Sequence, residues 1–84
     1  MNDIAPIPAD DILREVAKSF ELPTVNPADS FTDLQQNSLA VLRMMVALEK
    51  RYGVGIDLVD VFSAASVADL VQLVQAAANA REGR

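Results

Sequence analysis

Apolar residues recur at helical spacing in three stretches of the chain. Ile12, Leu13, Val16, Ala17 and Phe20 predict a first helix over 10–20, starting at Ala9 or Asp10. Asp10, Asp11 and Glu15 suit its positive end, and Pro23 follows its end. A second helix is predicted over 38–52, with Gly53 as its C-terminal cap. Val67, Leu70, Val71, Val74 and Ala77 form the apolar face of a last helix over 66–79, opened by a capping-box pattern at Ser66 and Asp69. Leu58, Val61 and Phe62 suggest a shorter helix between these two, over 57–62. No alternation of strand type stands out. The expected fold class is all-α, a small four-helix bundle of three main helices plus a short third one. Phe20, Phe31, Leu34, Met45, Leu48, Tyr52, Phe62, Leu70, Val71 and Val74 are expected to line its core.

Pro6 and Pro8 discourage helix in residues 1–8, which read as a flexible tail. The folded domain is expected over 9–80, with a second flexible tail at 81–84. Residues 21–37 form a long connection rich in turn residues: Pro23, Asn26, Pro27, Asp29 and Ser30. A connection of this length needs pins or a function. Leu22, Phe31 and Leu34 are the expected pins.

The helix over 38–52 is apolar on two sides. With about 100° per residue, Val41, Met45, Leu48 and Tyr52 share one stripe, with Met44 beside it. Leu39, Leu42 and Val46 form a second stripe, flanked by Arg43 and Lys50. A small bundle cannot bury both completely. Either the long connection covers the second stripe, or that stripe is a partner surface rimmed by charge.

Composition narrows the chemistry. The chain has 84 residues, 51% of them hydrophobic, which fits one domain with a modest core. Its net charge of −5 argues against a nucleic-acid surface. No apolar run reaches the roughly 18 residues of a membrane span. The start of the chain lacks the basic and apolar regions of a signal peptide, so a cytoplasmic protein is expected. There is no cysteine and no histidine. Disulfides, thiolate metal sites and Ser-His pairs are therefore unavailable, which argues against an autonomous enzyme. No metal site is expected.

Ser38 then gains interest. It opens the doubly apolar helix, directly after Phe31-Thr32-Asp33-Leu34-Gln35-Gln36-Asn37. Serine is a common helix cap, and that is its plain reading. The same place offers free N–H groups and a positive dipole end, which suit a phosphate. Asn37 beside it reads either as ordinary turn chemistry or as a contact for a modifying enzyme.

These residues closely resemble the acyl and peptidyl carrier protein family over roughly 10–74. Asn37-Ser38-Leu39 stands where the family has an aspartate or histidine, then serine, then leucine. Phe31 to Ser38 is similar to the Phe-x-x-Leu-Gly-Gly-(His/Asp)-Ser run of peptidyl carriers. Lys50 to Leu58 resembles the family's aromatic-Gly-Val segment. Val61-Phe62-Ser63-Ala64-Ala65-Ser66-Val67-Ala68-Asp69-Leu70 resembles its Leu-Phe-x-x-Pro-Thr-Val-x-x-Leu segment.

The resemblance implies that Ser38 receives 4′-phosphopantetheine from coenzyme A through a phosphopantetheinyl transferase. The arm's thiol would hold an acyl or aminoacyl group as a thioester. The implied partners are an adenylating enzyme or acyltransferase that loads the arm, and downstream condensing or tailoring enzymes. The carrier itself is expected to be a monomer. The expected partner face comprises Asn37, Leu39, Leu42, Arg43 and Val46, with Val61 and Phe62 contributing. The sequence departs from the family pattern at several positions: Asn37 is uncharged, Gln35 and Gln36 replace glycines, and Ala65 replaces a proline. Arg43 stands where fatty-acid carriers usually have glutamate, as in many peptidyl carriers. The implied role is a free-standing carrier in a nonribosomal peptide or hybrid polyketide pathway. A polyketide or fatty-acid carrier is the alternative, and a helical adaptor that bears no phosphopantetheine is the alternative of another class.

Overall fold

The computed structural model describes residues 7–82, with side chains up to Asn79. Five helices follow in order: α1 (Ala9–Ser19), α2 (Phe31–Leu34), α3 (Ser38–Tyr52), α4 (Leu58–Ser63) and α5 (Val67–Glu82). The all-α expectation holds. The helix it lacked is α2, a single turn inside the long connection. Four residues are too few for a helical period to register in a sequence.

α1 packs against α3 and α5, and α4 packs against α5. Ile12 and Val16 of α1, Val41, Met44 and Leu48 of α3, and Leu70 and Val74 of α5 are fully buried between them. Phe31 is also fully buried, with its ring edge-on to Phe20 at 6.3 Å between centroids. Leu34 and Tyr52 pack against the core from its margin. Phe62 was expected inside but is 38% exposed, while its neighbour Val61 is fully buried. A helix of six residues makes fewer than two turns, so the sequence pattern cannot tell which of two adjacent apolar residues faces inward.

Helix ends follow local chemistry. α1 closes with Leu22 N–H donating to Ala17 O at 2.8 Å and Glu21 N–H to Lys18 O at 3.2 Å. This is the Schellman pattern, with Glu21 in the left-handed region at φ 57° where glycine is usual. Gly53 ends α3 as expected, at φ 65°. The capping box at α5 forms in both directions: Asp69 N–H donates to Ser66 Oγ at 3.1 Å, and Ser66 N–H to Asp69 Oδ2 at 3.4 Å.

The long connection is zipped to the start of α5. Phe31 N–H donates to Ala65 O, Val67 N–H to Asp29 O and Ala68 N–H to Pro27 O, each at 2.9 Å. Phe31 and Leu34 serve as pins, but Leu22 does not; it stays 39% exposed beyond the reversal at Glu21. Val25 is buried in its place.

Two positions of each expected tail, Ile7 and Pro8 at one end and Arg81 and Glu82 at the other, lie in the described structure. Ile7 packs against the core, and its carbonyl accepts from Gln75 Nε2 at 2.8 Å. α5 runs on to Glu82. The remaining tail positions, 1–6 and 83–84, lie outside the described residues.

Candidate functional site

The site grows from the way α3 begins. Asn37, not Ser38, is the N-cap: its Oδ1 accepts from Ala40 N–H at 3.2 Å, and its carbonyl accepts from Val41 N–H at 3.1 Å. Asn37 is itself held by its N–H donating to Leu34 O at 3.0 Å. Ser38 is therefore the first residue of the helix, exposed, and relieved of the capping role that its type allows. Among the described residues no hydrogen bond involves the Ser38 hydroxyl, and none involves the N–H groups of Ser38 or Leu39. An exposed hydroxyl beside two open amides, at the positive end of a 15-residue helix, is a good seat for a phosphodiester.

The two apolar stripes of α3 have opposite fates. Val41, Met44, Met45 and Leu48 face the core. Leu39, Leu42 and Val46 are 60%, 47% and 52% exposed, so the long connection does not cover them. They join Arg43 and Ala47 as one wall of an open groove of about 560 Å³, whose other wall is Glu15, Lys18 and Ser19 of α1. The α1 wall has no signature in the sequence, because periodicity within one helix does not reveal which neighbour stands beside it. Asn37 and Phe62 are also exposed. Val61 is the correction: its side chain lies wholly in the core, so it offers no surface to a partner.

Charge on α3 is lopsided. Arg43, Lys50 and Arg51 are exposed. Glu49, the one acid of the helix, is half-buried and accepts from Ile56 N–H through Oε2 at 3.1 Å. Arg51 pairs with Glu15 at 3.3 Å. It also donates from Nε to the Tyr52 hydroxyl at 3.2 Å, and this bond is the main reason that its guanidinium is held above its already high ordinary pKa. Pairing takes Glu15 out of the groove's free charge, so Lys18 and Arg43 set its sign. The outward side of α3 is positive on a chain whose net charge is −5.

Among the described residues no three metal-ligating side chains gather. What the arrangement offers is one accessible hydroxyl, an anion seat around it, and an apolar groove alongside.

Neither the curated proteins nor the solved structures contain a match to the chain. The family model described as the phosphopantetheine attachment site matches residues 10–74, from the first turn of α1 to the middle of α5. The chain belongs to this family, whose members bear 4′-phosphopantetheine and are generally non-catalytic carriers that meet a phosphopantetheinyl transferase and pathway enzymes.

Proposed function

We propose that Ser38 is the attachment residue and that the carrier serves a nonribosomal peptide or hybrid polyketide pathway, holding acyl or aminoacyl intermediates. The observation that supports Ser38 is its position: exposed, first in α3, and free because Asn37 makes the cap. When bound, the prosthetic group supplies a flexible arm and a thiol that forms thioesters. The protein's own part is to seat the phosphate at the α3 N-terminus and to present the arm to successive enzymes at high effective concentration.

The partner face in this proposal is Leu39, Leu42, Arg43 and Val46, with Asn37 beside Ser38 and Phe62 nearby. The apolar side chains fill a shallow partner pocket, and Arg43 pairs with a partner carboxylate to set register. The pathway reading is supported by the charge of this face. An outward surface carrying Arg43 and Lys50, with Glu49 half-buried and engaged by Ile56 N–H, is poorly matched to basic docking surfaces such as those expected of fatty-acid enzymes. The loading partner is then an adenylating enzyme or an acyltransferase whose docking surface is acidic or neutral, and condensing or tailoring enzymes act downstream.

The chain's lack of cysteine gives a direct test. Treatment with coenzyme A and a broad-specificity phosphopantetheinyl transferase should take the protein from no titratable thiol to one per chain. Ser38→Ala should remain without a thiol. A folded wild-type protein that gains no thiol with several transferases would instead support the helical adaptor.

A further inference from the structure

α4 carries three exposed apolar side chains, Leu58, Val59 and Phe62, and only one that is buried, Val61. A six-residue helix has no independent stability, so its place depends on its attachments. At its entrance, Ile56 N–H is tied to Glu49 of α3. At its exit, the tie comes from the connection that leads into Ser38. Gln35 Nε2 donates to Phe62 O at 3.2 Å and to Ala64 O at 2.9 Å. Both carbonyls lie at the C-terminal end of α4, where a helix has no N–H donors of its own to offer them. One half-buried amide, three residues before Ser38, thus satisfies two carbonyls of an element far along the chain. The same connection is also tied to the segment after α4, by Phe31 N–H donating to Ala65 O at 2.9 Å, but Gln35 is the tie that reaches α4 itself, at Phe62 O.

We infer that Gln35 is a positioning residue: it latches the exit of α4 to the connection before Ser38 and so fixes the Phe62 side of the surface that an incoming transferase meets. The role in transfer rests on Ser38 being the attachment residue, whereas the latch itself does not. Glycine, with no side chain, cannot make this tie, so the latch belongs to the glutamine at this position.

Amide hydrogen exchange on the whole protein, read residue by residue, tests the latch with three variants. Gln35→Ala removes the donors. Gln35→Glu keeps the shape but sets an acceptor-only group against two carbonyls. Gln35→Arg restores donors. Exchange at Val61, Phe62 and Ala64 should quicken about tenfold in Gln35→Ala, more in Gln35→Glu, and return near wild type in Gln35→Arg. Leu70 and Val74 of α5 should not change. In parallel, transfer of phosphopantetheine should show a raised KM for the alanine and glutamate variants at unchanged kcat. Unchanged exchange in α4, equal acceleration in α5, or unprotected α4 amides in the wild type would each overturn the latch. Faster α4 exchange with an unchanged KM would overturn its positioning role. A wild type that accepts no phosphopantetheine would refute Ser38 as the attachment residue, and the exchange rates would still decide the latch.

Discussion

α3 and α5 both begin beside a serine, and the two beginnings are built for opposite ends. At α5 all four first-turn N–H groups are filled: Val67 by Asp29 O, Ala68 by Pro27 O, Asp69 by Ser66 Oγ and Leu70 by Ser66 O. Val67 and Leu70 are fully buried there. At α3 only Ala40 and Val41 are filled, both by Asn37, and Leu39 is 60% exposed. Serine at a helix start is thus uninformative until the cap is known. Ser66 is the cap of its helix and is tied into the fold. Ser38 sits one place further in, with its hydroxyl and two amides left to solvent. The open beginning costs stability that the closed one keeps, because unfilled amides and exposed leucines contribute nothing to the core.

Exchanging the serines should break the comparison most visibly. Ser38→Ala should abolish phosphopantetheinylation completely while leaving thermal unfolding unchanged. Ser66→Ala should still be modified at the wild-type extent. Loss of modification in Ser66→Ala, with the protein still folded, would contradict the division of labour.

The leucines of the two first turns should differ next most. Leu70→Ala removes a fully buried side chain and should destabilise the fold by roughly 2–5 kcal/mol in denaturant unfolding. Leu39→Ala should change stability by no more than about 0.5 kcal/mol, as for an ordinary surface position. It should nevertheless weaken transfer by a partner enzyme.

The caps sharpen the comparison on a finer scale. Ser66→Ala and Asn37→Ala each remove one side-chain cap and should each destabilise by about 1 kcal/mol. Asn37→Ala should also slow modification, since it loosens the turn that presents Ser38. Equal stability loss with unchanged modification would reduce Asn37 to a cap alone.

Arg43→Glu is the smallest change to the fold and tests the charged rim. Its melting should match wild type, because an exposed charge contributes little to stability. Transfer by the partner that docks there should weaken, and more at low salt than at high salt. Transfer unchanged at low salt would remove Arg43 from the interface.

Much of this was legible in the chain. Sustained periodicity located α1, α3 and α5, and local chemistry located the Gly53 and Ser66–Asp69 caps. The resemblance in the Phe31–Ser38 run pointed to Ser38, the attachment residue we propose. What stayed hidden depends on contacts between distant segments. α2 is too short to show a period, and α4, though expected over 57–62, makes too few turns to show which residues face inward, so the inward turn of Val61 and the outward turn of Phe62 are decided by packing on α5. The groove wall from Glu15, Lys18 and Ser19 exists only because α1 lies beside α3. The core stripe of α3 was legible, since Met45 and Leu48 were expected inside and are buried, whereas whether the long connection covers the second stripe is a property of neighbours. Gln35 read as a departure at a glycine position, yet its two acceptors lie in the segment after α4 begins.

The central claim is that the carrier's arm sits on Ser38, and fragment mass spectrometry of the fully modified protein tests it most directly. One phosphopantetheine per chain is expected, confined to fragments that contain Ser38 and absent from those that carry Ser19, Ser30, Ser63 or Ser66 without it. The group found on any of those other serines, or a folded protein that takes up none, would contradict it.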